Sequence, residues 1–157
     1  MAQSATTQNI EVAASAVIAV PFVLDGTTYY PQLAEAATEV GGCTGYYLSA
    51  AATTNTTSVK ATAGQLYGFY CSNVHSAPYY LKFYNKASAP TVGTDTVVHC
   101  FEIPQAGTAA DGYVTTMLFP KGLPFSTGIA FAVTADFSDT GTTAVTASTL
   151  KINLFYK

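Results

Sequence analysis

The side chains that could carry acid–base, nucleophilic or metal chemistry in this chain are few and scattered. His75 and His99 are its two histidines. Neither has a carboxylate or a second histidine at the spacing that a metal site requires. His99 falls on the apolar side of its segment, where a satisfied core or interface imidazole is the expected role. Cys100 follows His99 directly, but neighbours along a strand point to opposite faces, so the two cannot act as a thiolate–imidazole pair. Ser126, in Phe125-Ser126-Thr127-Gly128, lacks the strained elbow of a hydrolase nucleophile. Gly41-Gly42-Cys43-Thr44-Gly45 has no lysine and no apolar helix after it, and reads as a helix stop and tight turn rather than a phosphate loop. Asp136-Phe137-Ser138-Asp139-Thr140-Gly141 offers oxygens that a cation could use, but it lacks the EF-hand ladder and its closing glutamate. A turn held by Asx hydrogen bonds is the favoured reading there. The remaining acids are spread over turns and the N-terminal segment, so no carboxylate pair of the glycosidase kind is assembled. The chain is therefore expected not to be an enzyme, with no catalytic residue, cofactor or metal assigned.

Cys43, Cys71 and Cys100 are an odd set without metal-site spacing, which argues against a disulfide framework. A Cys71–Cys100 bridge would need those strands to be neighbours; buried free thiols are the expectation. Tyrosine is the other outlier, with paired occurrences at Tyr29–Tyr30, Tyr46–Tyr47 and Tyr79–Tyr80. In a strand one member of each pair faces the core and the other faces out, where it suits protein contacts better than sugar stacking.

These residues have to be positioned by something, and the composition says what. The chain has 157 residues, enough for one domain with a real core, with 49% hydrophobic and only 10% charged residues. Average domains carry about a quarter charged residues. There is no arginine, and the formal net charge is −3. Nucleic-acid binding normally needs clustered Lys and Arg, so it is not expected. A surface this poor in charge is weakly protected against association, which favours cover by other copies or by a partner. No secretory leader is recognised in Met1–Ser15, where the first basic residue of the chain is still far off at Lys60. The apolar stretch Ala13–Leu24 is too short to span a membrane. Assembly in a cytoplasm is expected, without membrane association.

Along the chain, Met1–Ser15 is read as an N-terminal arm and 16–157 as a single β domain. Ala16–Leu24 and Thr27–Tyr30 flank an Asp25–Gly26 turn and predict a hairpin that Pro31 ends. Gln32–Val40 has helical composition, stopped by Gly41–Gly42. Ala50–Ser58 is read as a loop or exposed edge. Strands are predicted at Val59–Ala63, Leu66–Cys71, Tyr79–Asn85, Val97–Ile103, Tyr113–Phe119 (ended by Pro120), Ile129–Ala135 and Leu150–Tyr156. Tyr79–Asn85 has two distinct faces: Tyr79, Leu81 and Phe83 inward, Tyr80, Lys82 and Tyr84 outward. Irregular, short turn intervals suit a sandwich or jelly roll.

From Val59 onward the chain resembles a group of small tailed-phage virion proteins. The words that carry this are Val59-Lys-Ala-Thr-Ala-Gly64-Gln-Leu-Tyr-Gly68, Leu81-Lys-Phe-Tyr-Asn-Lys86-Ala-Ser-Ala-Pro90-Thr-Val-Gly-Thr94, Gly122-Leu-Pro-Phe125-Ser-Thr-Gly128-Ile-Ala and Lys151-Ile-Asn-Leu-Phe-Tyr-Lys157. They cover about the C-terminal two thirds, and the N-terminal third does not match. The resemblance implies an all-β, jelly-roll-like antiparallel β-sandwich that oligomerises on the particle as a capsid decoration (cement) protein. The partners it implies are other copies, most simply in a homotrimer, and the major capsid protein on the outer head surface. A tail, neck or fibre component that reads a host glycan is the alternative. Tyr80, Lys82 and Tyr84 are the contact surface expected from the strand pattern.

Overall fold

The structure, a computed structural model, describes residues 22–25, 28–31, 42–107 and 112–157. The chain falls into two units, Met1–Val40 and Gly41–Lys157. In the first, β1 (Phe22–Asp25) and β2 (Thr28–Pro31) pair antiparallel with Asp25 opposite Thr28. The hairpin expected around Asp25–Gly26 is thus present. The arm at Met1–Ser15 and the helix expected at Gln32–Val40 lie outside the described residues.

The second unit holds eight strands: β3 (Thr44–Ser49), β4 (Thr57–Lys60), β5 (Gly64–Asn73), β6 (Tyr79–Asn85), β7 (His99–Ile103), β8 (Tyr113–Phe125), β9 (Ile129–Thr134) and β10 (Leu150–Tyr156). They form two antiparallel sheets in the orders β3-β10-β5-β8 and β4-β9-β6-β7. Apart from β6 and β7, consecutive strands lie in different sheets. This is the strand order of a jelly roll, the double-sheet β-sandwich built from two Greek keys. Among the described residues there is no helix.

Alternation places the core. Leu66, Phe69, Ile152 and Leu154 from the first sheet meet Leu81, Phe83, Phe131 and Val133 from the second, all fully buried. Phe83 sits centrally, its ring centroid 6.3 Å from Phe69, 6.1 Å from Phe101 and Phe125, and 6.4 Å from Phe131. Such aromatic clusters supply both apolar area and favourable ring geometry. Buried Asn73 fastens the β5–β6 turn, accepting from His75 N at 2.8 Å and donating to Ala77 O at 3.1 Å and Pro104 O at 3.0 Å.

Several boundaries differ from the sequence reading. β4 runs Thr57–Lys60 where the pattern predicts a strand at Val59–Ala63 and a loop up to Ser58, because Thr57 and Ser58 pair with Phe131 and Ala130. β3 replaces the tight turn expected through Gly45, because Tyr46 and Leu48 find inward places opposite Leu154 and Ile152. β7 begins at His99 rather than Val97, since the preceding residues turn aside to cover a sheet face. β8 does not stop at Pro120 but continues to Phe125. Its ladder with β5 shifts between Leu66 and Gly68, where Leu123 and Leu118 are the respective partners, so Pro120 falls in a bulge. β8 is an edge strand, where a missing N–H is tolerated. Gly122 supplies the positive φ of +72° that the bulge needs.

Candidate contact surface

The expected outward trio lies on the outer face of the β4-β9-β6-β7 sheet, but two of its members are not exposed. Lys82 is 0% and Tyr84 1% exposed, while Tyr80 is partly exposed. This corrects the contact surface expected from the strand pattern. The cause is two connections of the chain itself. Residues 86–98, between β6 and β7, bring Val92 and Val97 onto Tyr84, Ala130 and Ala132, forming a small second core outside the sheet. Residues 135–149, between β9 and β10, lay Ser138–Gly141 over Lys82. Its Nζ donates to Ser138 O at 2.6 Å and Gly141 O at 3.3 Å. The two connections meet where the backbone of Gly93, at φ +85°, passes Thr140 and Thr142.

The Asp136–Gly141 segment is shaped as a turn, as favoured from the sequence. The Asp136 carboxylate accepts from Thr143 N at 2.8 Å, and Gly141 N donates to Ser138 O at 2.8 Å. Hydrogen bonds from Thr143 hold the Asp136 carboxyl below its usual range. Asp95 is likewise held low by Lys86, its ion-pair partner, and by Thr91 N at 2.7 Å. Among the described residues no three His, Cys, Asp or Glu side chains converge as metal ligands.

Burial sets the electrostatics beneath the cover. It lowers the Lys82 ammonium pKa, opposed by Cys100, Asp136 and Asp139 nearby. It pushes the Tyr84 phenol up to about 12, and the Tyr84 hydroxyl is buried with no hydrogen-bond partner. A shallow depression of about 270 Å³ beside Tyr84 is lined by Asn85, Lys86, Asp95, Thr96 and Val98. Lys86 and Asp95 there are paired with each other, and Asn85 is engaged by Ser126 and Thr127.

The thiols and histidines are separated. All three cysteines are free: Cys71 is buried in the core, whereas Cys43 and Cys100 are exposed. Cys71 therefore matches the expected buried thiol, and burial pushes its pKa up to about 12, far from a reactive thiolate. Cys100 pairs with Lys82 on the outer face, on the far side of its sheet from Cys71. His99 points the other way, its ring 6.4 Å from Phe101 and 6.0 Å from Phe125. His75 stacks on Tyr79 at 5.0 Å, and its Nδ1 accepts from Ala77 N at 3.2 Å.

The uncovered surface is the outer face of the other sheet. Register aligns its side chains in rows across β3, β10, β5 and β8. One row is Tyr47, Asn153, Tyr70 and Thr116; the next is Gly45, Phe155, Gly68 and Leu118; the third is Ser49, Lys151, Ser72 and Val114. Tyr47, Tyr70, Phe155, Leu118 and Val114 are all exposed, Leu118 by 68%. Lys151 is the one charge in these rows. Glycines flank Phe155 on both sides and leave its ring unscreened. Solvated sheet faces normally carry polar side chains, so these contiguous exposed apolar groups make the face the candidate contact surface.

The sequence held a signal that separates the two faces. β9 alternates Ile129, Phe131 and Val133 with Ala130, Ala132 and Thr134, and all six are buried. A solvated face would carry longer polar residues where these alanines stand. Small residues beside Lys82 and Tyr84 leave room for a covering layer, whereas Tyr47, Tyr70 and Phe155 do not. Among the described residues no helix is long and apolar enough to cross a membrane. No family model, curated protein or solved structure matches the chain.

Proposed function

We propose that this chain is a structural protein of a tailed-phage virion, a decoration protein that docks on the outer head surface as an oligomer and stabilises the capsid lattice. The observation that carries this reading is the β3-β10-β5-β8 face, with exposed Tyr47, Tyr70 and Phe155 and with Lys151 as the one charge in their rows. The phage-like words at Val59–Gly68 and Lys151–Lys157 supply half of β5 and most of β10, and bring Lys151 and Phe155 to this face. A rigid jelly roll without converging chemical groups suits a shape-holding role. The Lys82 and Tyr84 side is sealed by its own loops, which leaves the opposite sheet face to meet the major capsid protein.

The mechanism is mass action. A protein that binds the assembled lattice, but not its separated subunits, stabilises the lattice by RT ln(1 + [L]/Kd). Occupancy at about a hundred times Kd contributes roughly 2.7 kcal/mol per site. A local threefold position would call for a trimer of this chain. The test is addition of purified protein to heads that lack it, followed by heat or chaotrope challenge. Wild-type protein is expected to bind and to raise the disruption midpoint. Tyr47→Ser/Tyr70→Ser/Phe155→Ser protein is expected to stay folded and to lose that effect. Stabilisation by the triple variant equal to wild type would remove this face from the account.

A further inference from the structure

Strand β8 ends the first sheet with its outer backbone edge unpaired among the described residues. Natural edges are normally guarded by charge, proline, a bulge or a short strand. Here the guards Pro120, Lys121 and Gly122 all sit in the second half of the strand. Tyr113-Val-Thr-Thr-Met-Leu-Phe119 has none: it is neutral, free of Pro and Gly, and β-prone throughout, the composition of segments that pair with a further strand. Tyr113, Val114, Met117 and Leu118 are exposed on the two sides of this strand.

We infer that the Tyr113–Phe119 edge is a strand-pairing site for the same edge of a second copy, antiparallel across a twofold axis at Thr116. The sequence is complementary to itself in that one register. Thr116 meets Thr116, Val114 meets Leu118 on the outer face, and Thr115 meets Met117 and Tyr113 meets Phe119 on the inner face. On the outer face apolar opposes apolar and Thr116 opposes itself; on the inner face Tyr113 opposes Phe119, and Thr115 sets its methyl against Met117, cross-strand pairs of the kind that stabilise sheets. A shift by one residue would set inner-face side chains against outer-face ones, and the bulge at Pro120–Gly122 stops the pairing from running further. No like charges are brought together, because the segment has none. The result is a twofold, isologous contact. It merges two four-stranded sheets into one continuous sheet and leaves the Tyr47–Tyr70–Phe155 face open. It gives an even-numbered assembly, so a threefold arrangement would need a separate surface.

Charge exchange across the axis tests this on the full-length protein. Size and mass are measured by sedimentation for wild type, Val114→Lys, and Val114→Lys/Leu118→Glu. Wild type is expected to be dimeric or a higher even-numbered oligomer. Val114→Lys, which sets a lysine against Leu118 of the second copy at both ends, should weaken association at least tenfold. The double variant should recover it, because each lysine then faces a glutamate. Recovery distinguishes pairing from simple misfolding. A wild-type monomer or trimer, a single variant that associates like wild type, or a double variant no better than the single one would each overturn the proposal. None of these outcomes decides whether the protein sits on a phage head, which the head-binding experiment reads independently.

Discussion

Lys82 shows how far one side chain departs from its place in a pattern. Alternation along β6 puts it outside the sheet, yet its ammonium is enclosed and bonded to two carbonyls of the 138–141 turn. Those bonds clamp the turn onto the sheet, since hydrogen bonds to a charged group contribute about 1.5–3 kcal/mol each in favourable cases. Lys82→Met keeps the stem and removes the clamp. It is expected to accelerate amide exchange at Gly141 and proteolysis within 136–143 well before global unfolding, as hydrogen exchange and limited proteolysis would show; unchanged protection would mean that the turn holds itself. Tyr84 is the opposite case, a buried hydroxyl without a partner. Tyr84→Phe removes an unsatisfied group and should leave stability unchanged or raise it by about 1 kcal/mol in denaturant titrations. Its folded pKa, raised from 10.0 to about 12, means that the unfolded chain loses this proton first. The stability it contributes is full below pH 10 and is lost as pH rises towards 12. The difference between wild type and Tyr84→Phe should therefore grow in the variant's favour across that window.

At the scale of elements, β6, β9 and β10 were legible because alternation and bulky inward residues agree. Leu81 and Phe83, Phe131 and Val133, and Ile152 and Leu154 all face the core as their spacing predicts. β3 was not legible: Thr44-Gly45 looks like a turn, and only pairing with β10 makes it a strand. The same holds for the far half of β8, which the prolines hide and the long-range ladder to β5 restores. The contact face was misassigned because period-two patterning tells inside from outside but not what lies over the outside. Tyr80, Lys82 and Tyr84 read as solvent-facing for that reason. The cover comes from connections whose Thr, Ala and Gly residues carry no periodic signal. The β5–β8 pairing depends on a close approach at Gly68, where an added Cβ would stand 2.5 Å from Met117 O. Gly68→Ala is expected to cost about 1–3 kcal/mol and to loosen β8 selectively. Chemical denaturation combined with amide exchange in Val114–Met117 checks this; uniform loosening of all strands would contradict it.

At the scale of the whole molecule, the described residues of the sandwich seal one sheet face with their own connections and leave apolar side chains exposed on the other. The low charge content of the chain acquires a location through that asymmetry: apolar and neutral groups are concentrated where a partner can cover them. The same face would have little to offer a polyanion, because Lys151 is the one cation in its rows. The proposed decoration role needs this division, with a body, a surface for the lattice and an edge for further copies. The proposed decoration role has a phage encode this chain, and its most direct test is a reconstruction of that phage's purified virions, with the copies located and counted. A decoration role predicts on the order of hundreds of copies arranged with capsid symmetry on the outside of the head, the β3-β10-β5-β8 face against the major capsid protein. About a dozen copies or fewer at the tail or neck, or absence from the particle, would contradict it.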